Sequence, residues 1–182
     1  MHATNLARPY TYAPARGGHA PGHIREAKLQ RTAIHEAGHA VIGRVLGLAC
    51  GDVTIIADHN SNGHAILATP YAIEQAWEDC GKYRDIASAF RGRILAYMAG
   101  REAEEVILGR DGGGDGDDQF QIALMLEEVT IAEEAERLAH RLRRHARSLV
   151  KRHRQPIERV AAALLVHRKL TDDGVRRAAF AD

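Results

Sequence analysis

Two histidines four residues apart, His35 and His39, lie in a stretch whose apolar residues are spaced for a helix. The segment IREAKLQRTAIHEAGHAVIGRVLGL carries Ile34, Val41, Ile42, Val45 and Leu46, with Pro21 and Gly22 just before its start and Gly47 near its end. On a helix, positions i and i+4 sit one turn apart on the same face, and Ile42 and Leu46 continue the His35/His39 stripe. Such a chain must bury two imidazoles side by side, which is unfavourable unless each finds a partner. The pattern His35-Glu36-Ala37-Gly38-His39 is HExxH, expected by chance only about 0.05 times in a chain of this composition.

Imidazole binds zinc at neutral pH without first giving up a proton, so a pair on one helix face can share one ion. Glu36 is turned by about 100° from His35. It falls beside such an ion rather than on it, where a carboxylate can take a proton from water whose pKa the metal lowers towards ~7. The competing reading is a pair of core histidines satisfied by other partners. Two histidines leave a zinc site short of one protein ligand. The candidates are Glu102, Glu104 and Glu105 on a helix, and Asp115, Asp117 and Asp118 where a glycine-rich loop enters one. Those aspartates would equally favour the helix N-terminus, and one can ligate while another caps.

The rest of the chain reads as mainly α with one small β-hairpin or sheet. Residues 1–23 hold three of the five prolines and no helical period, and are expected to be a flexible N-terminal arm ahead of a domain over 24–182. Val53–Ala57 and His64–Ala68 flank Asn60-Ser61-Asn62-Gly63, a hairpin pattern that Pro70 ends. Residues 73–108 read as two helical pieces broken near Gly81, with Ile94, Tyr97, Met98, Val106 and Ile107 on the core side of the second. After RDGGGDGDD, one long helix is expected from Asp118 to Arg152, then a helix with Pro156 in its first turn, then a short helix capped by Thr171 or Asp172. Gly38 in a helix interior suggests a close approach of a strand or neighbouring helix. Aromatic residues make up only 5% of the chain, which favours helices over a β-sandwich.

HEAGHAVIG, then AGREAEEVILG, then a glycine-rich loop with Asp leading into a helix resemble the peptidase domain of the FtsH-type zinc proteases, the M41 class. The C-terminal run RSLVKRHRQPIERVAAALLVHRKLTDDGVRRAA is also similar to that family's helical end, so the likeness covers roughly residues 25–180. It implies an FtsH peptidase-like zincin helical domain, zinc as the cofactor, and an Asp at the start of the helix after the glycine loop as third ligand. We carry that position to Asp118, with Asp117 next and Asp115 after it. The likeness also implies that Glu104 lies near the site, where it would orient a histidine.

The expected function is therefore a zinc metalloendopeptidase, with His35, His39 and Asp118 on the metal and Glu36 as general base. No GxxxxGK[ST] phosphate loop occurs in these 182 residues, so the expectation is a peptidase with no ATPase of its own. Its partners would be a peptide or unfolded protein substrate and a separate ATPase or further copies of the chain. An alternative is a non-proteolytic zinc-binding interaction domain. The eight Lys/Arg of Arg137–Arg154 raise nucleic-acid binding as a further rival, but the same helix begins with Glu133, Glu134 and Glu136, has no aromatic stacking residues, and belongs to a chain of net charge +1. Charges interrupt every apolar run before the ~20 residues a membrane span needs. Cys50 and Cys80 form no disulfide or zinc-ribbon pattern, and together with the lack of an apolar N-terminal signal they point to a reducing, cytoplasmic setting.

Overall fold

The HExxH stretch lies in the first helix, α1 (Pro21–Val45), and everything else is arranged around its crossing with a second long helix. The computed structural model describes residues 21–57, 62–82, 84–110, 112–113 and 115–181. The expected arm over 1–23 thus falls, up to residue 20, outside the described residues, as do Asn60 and Ser61 of the expected turn. The order is α1, β1 (Cys50–Thr54), β2 (His64–Leu67), α2 (Pro70–Asp79), α3 (Ile86–Leu108), α4 (Gly116–Glu127), α5 (Ala132–Arg152), α6 (Arg154–His167), β3 (Lys169–Leu170) and α7 (Asp172–Phe180). The fold is mainly helical with a small antiparallel sheet, as expected.

α1 packs against α3 on one side and α6 on another, and α3 is backed by α5. The core is the shared apolar face of these helices, with Ile42, Ile94, Met98, Val150, Ile157 and Leu164 all buried. Gly38 explains how α1 and α3 come so close: a Cβ there would lie 2.6 Å from the Ala99 carbonyl oxygen and 3.0 Å from the Ala103 Cβ. A second, smaller core gathers under α2, where buried Trp77 donates its indole N–H to the Gly47 carbonyl at 2.7 Å.

Several expected boundaries are corrected. The long helix from Asp118 to Arg152 is two helices, α4 and α5, with the break at residues 128–131. Val129, Thr130 and Ile131 are β-branched in succession, which restricts their side chains against a preceding helical turn. Ile131 is accordingly extended (φ −80°, ψ 156°) and starts α5. The first strand runs over Cys50–Thr54 rather than Val53–Ala57, and the second ends at Leu67 rather than Ala68. A third strand that the sequence did not suggest, β3, is only two residues long and pairs on the far side of β1. Val53 pairs with Ala65 on one side and Leu170 on the other, so β1 is central and β2 and β3 are the edges.

The remaining signals fall where the residue chemistry places them. Gly81, at φ +70°, lies between α2 and α3. Pro70 begins α2 instead of only ending the hairpin, because Thr69 caps it by accepting from the Ala72 N–H and a proline fits the first turn. Thr171 is the cap of α7, accepting from the Gly174 N–H. No helix among the described residues is long and apolar enough to cross a membrane.

The α1–α3 contact makes an unusual mutational prediction. Alanine normally favours a helix over glycine by ~1 kcal/mol. At position 38 the added methyl must push two backbones apart, an overpacking cost of about 1–3 kcal/mol. Gly38→Ala is therefore expected to lower the urea midpoint at unchanged m-value; an equal or higher midpoint would show that the crossing has slack.

Candidate metal centre

His35 and His39 project from one face of α1 towards α3, their ring centroids 4.6 Å apart and nearly perpendicular. His39 is buried (4% exposed), and its Nδ1 donates to the Ala96 carbonyl of α3 at 2.8 Å. The Nδ1 of His35 donates to Glu104 Oε1, also on α3, at 2.7 Å. With both Nδ1 atoms engaged by α3, each ring turns its Nε2 to the same point. Asp118, in the first turn of α4, brings its Oδ2 there, 2.9 Å from His35 Nε2 and 3.2 Å from His39 Nε2. The three ligand atoms all lie within 4.8 Å of one another.

This donor set suits a zinc ion. Tetrahedral zinc with bonds of 2.0–2.2 Å keeps its ligand atoms roughly 3.3 Å apart, and two imidazoles with one carboxylate leave a fourth position open. Partners on the remote ring nitrogens are what fix the tautomer of a metal-binding histidine. Gly100 leaves the necessary room: a Cβ there would lie 2.6 Å from His39 Nε2 and 2.8 Å from His35 Nε2.

The other acidic candidates are placed elsewhere. Asp115 precedes α4, where it accepts from Gln119 Nε2 at 2.8 Å and lies 3.4 Å from Arg101 Nη1. Burial would raise its pKa, but those two partners outweigh it and lower it. Asp117 is exposed on the rim of the cleft. Glu102 is buried against Arg143 and Arg147 of α5, and Glu105 accepts from Arg147 at 2.6 Å. Glu104 has one oxygen on His35 and the other on the Gly112 N–H at 2.7 Å. It is thus the contact that ties a histidine to the glycine-rich loop.

Glu36 is buried, 6% exposed, and lines the same cleft of about 590 Å³ as His35, His39 and Asp118. Burial raises its pKa, while the neighbouring imidazoles pull the other way. Burial likewise opposes a charge on His35, but the hydrogen bonds to Asp118 and Glu104 outweigh it and push its pKa up to about 10. Burial acts in the same sense on His39, and the Asp118 carboxylate overcomes it, so that His39 also holds a proton more tightly than a free imidazole. On Asp118 burial works upward, and the two imidazoles hold it well below the usual carboxylate range. Raised imidazole pKa values beside a lowered carboxylate pKa make the cluster a place that attracts positive charge.

Reasoning from the sequence missed two contributors. Gly100 belongs to AGREAEE but only its distance to the imidazoles gives it meaning, and the Ala96 carbonyl carries no side-chain signal at all. Of the remaining histidines, His140, His145 and His167 are exposed and His153 is half-buried.

Two outcomes follow from this geometry. In Gly100→Ala the methyl occupies the ligand position, so zinc retention, read by elemental mass spectrometry, should be lost while the circular dichroism spectrum stays helical; full zinc loading would show that the rings can move aside. Zinc must also displace the proton that His35 otherwise keeps up to about pH 10. Its affinity should therefore go on rising from about pH 7 to 9, by up to roughly tenfold per unit, where an imidazole of pKa 6.5 would already be deprotonated. Chelator competition at the two pH values measures this, and equal affinities would contradict it.

Comparison with known proteins shows the family. The sequence model of peptidase family M41 matches residues 23–131, which run from the first turn of α1 through α4 and include His35, Glu36, His39 and Asp118. A protein named ATP-dependent zinc metalloprotease FtsH 1, from Symbiobacterium thermophilum, is 29% identical over 185 residues, covering 84% of this chain and 30% of its own length. The ATP-dependent zinc metalloproteases FtsH of Mesomycoplasma conjunctivae and Acaryochloris marina are 33% and 34% identical over 90 and 95 residues, or 48% and 52% of this chain. The chain spans less than a third of the length of these curated relatives. With the match running unbroken through the helix of the paired histidines and the helix that presents Asp118, this chain belongs to peptidase family M41.

Proposed function

We propose that the chain is a zinc-dependent endopeptidase in which His35, His39 and Asp118 hold the metal and Glu36 is the general base. The observation that carries the reading is the convergence of two Nε2 atoms and one carboxylate oxygen in an open cleft that a buried glutamate also lines. Zinc in that position would supply a Lewis acid and lower the pKa of a neighbouring water. Glu36 takes a proton from the attacking water and passes it to the leaving amine, a task for which a carboxylate of raised pKa is suited. Glu104 and the Ala96 carbonyl hold the rings in register.

The edge strand β2 offers main-chain hydrogen bonds to an extended peptide, and His64, Ala65 and Leu67 line the cleft beside it. β1, paired on both sides, is not available for this. The substrate is then a peptide or an unfolded protein segment, and a separate ATPase or further copies of the chain are the proposed partners. We assign the peptidase domain to residues 24–182, since α5 to α7 complete the core that holds α1 and α3. The free thiols of Cys50 and Cys80 support a cytoplasmic setting.

Elemental analysis of untagged protein should find one zinc per chain, lost in His39→Ala and Asp118→Ala. Glu36→Gln should keep its zinc and lose hydrolysis of an unstructured protein such as casein by about 10²–10⁴-fold. A zinc-loaded wild type that cleaves nothing, or a Glu36→Gln variant as active as wild type, would turn the conclusion towards the non-proteolytic zinc-binding domain.

A further inference from the structure

One cation beside the centre is held in place without being fully used. Lys28, Arg31, Thr32, His35, Glu36 and His39 recur at three- and four-residue spacing on α1, and all six line the cleft. Arg31 is half-buried, and its Nε is buried with no hydrogen bond among the described residues. Among the described residues it forms an ion pair with Glu104, 3.7 Å from Nε and beyond hydrogen-bond length. Both Glu104 oxygens are already committed, one to His35 and one to the Gly112 N–H. The backbone of Gly112 lies so close to the Arg31 side chain that a Cβ there would collide with its Cδ and Nη1. The guanidinium is therefore fixed by packing, between α1 and the glycine-rich loop, at the wall of the cleft. Among the described residues lining the cleft, the acidic group besides Glu36, Glu104 and Asp118 is Asp117, which is exposed.

We propose that Arg31, assisted by Lys28, binds a carboxylate of the peptide substrate and so directs this enzyme to acidic or C-terminal segments. The inference rests on the peptidase reading and adds a substrate class to it. A planar guanidinium at the cleft wall matches a carboxylate in a two-pronged geometry that no neutral side chain reproduces. Arg31 precedes His35 by about one turn, roughly 6 Å along the helix axis, and an extended peptide advances ~3.3 Å per residue. The carboxylate accordingly falls two or three residues from the scissile bond. At that distance it comes either from an Asp or Glu side chain or from the terminus of the peptide.

Fluorescence anisotropy of labelled peptides on zinc-loaded Glu36→Gln protein separates the sources without needing turnover. One series moves a single Glu, or Gln as its control, along an otherwise neutral peptide; the other compares a free C-terminus with its amide. One of the two carboxylates should tighten binding by about tenfold. The gain should vanish in Arg31→Met, shrink in Lys28→Ala and reverse sign in Lys28→Glu, with zinc content unchanged in each. Equal binding of acidic and neutral peptides, a preference that survives Arg31→Met, or no peptide binding at all overturns the assignment. Hydrolysis by wild type without any charge preference would overturn it alone and leave the peptidase reading intact. A carboxylate preference in binding without hydrolysis would do the reverse.

Discussion

α3 passes so close to α1 that its backbone takes part in the chemistry of the histidines. Gly38 lets the Ala99 carbonyl approach, and that approach brings the Ala96 carbonyl to His39 Nδ1 at 2.8 Å and opens the Gly100 position to both rings. A backbone carbonyl cannot rotate away as a side chain can, so His39 is oriented by an element that the core itself holds rigid. Separation of the helices by even an ångström would break that bond before it exposed any apolar residue. The ordering of the site and the packing of the core are therefore one constraint.

The same helix serves two other elements from its remaining faces. Glu102 and Glu105 point to α5, where Arg147 reaches both, at 2.9 and 2.6 Å, and Arg143 lies 3.6 Å from Glu102. Glu104 and Arg101 point to the loop and the start of α4, through Gly112 and Asp115. Asp118 reaches the imidazoles because the turn that carries it is anchored on α3 at both these points. Leaving Glu102 buried without its arginines would be strongly unfavourable, by about 3–5 kcal/mol in comparable pairs. The basic residues of α5 thus divide into an inner row that neutralises α3 and an outer row facing solvent.

The histidine helix was legible because its information is local: spacing of four, a continuing apolar stripe and a glutamate one position on. Gly81 and Thr171 were legible for the same reason, since caps and positive φ are decided by neighbours in sequence, whereas Pro70 was read as the end of the hairpin and not as the start of α2. What could not be read was set by distant partners or by a weak local signal. β3 is two residues long, and only pairing with Val53 and Thr54 makes it a strand. The break between α4 and α5 did have a local cause in Val129-Thr130-Ile131, but helical periodicity on both sides hid it. Among Asp115, Asp117 and Asp118 the sequence offered only an ordering by likeness. Position settles where each sits, because successive residues of a helix turn by about 100°: Asp118 faces α1, Asp117 faces the rim, and Asp115 is engaged by Gln119 and Arg101.

Three glutamates, Glu36, Glu102 and Glu104, are buried within this small region, and their surroundings give them different capacities. Glu102 faces two guanidinium groups, Arg143 and Arg147, which tie α3 to α5. Glu104 spends one oxygen on an imidazole and the other on a backbone N–H, so both of its oxygens are committed to holding the site in place. Glu36 is different: burial raises its pKa, the imidazoles lower it, and Asp118 acts with burial. On this carboxylate, at the wall of an open cleft, burial and the imidazoles act in opposite directions. That balance also depends on what occupies the centre, because a dication there would add its charge to the imidazoles' pull and favour the ionised form. On the proposed peptidase reading, the metal site and Glu36 would then act as a single unit.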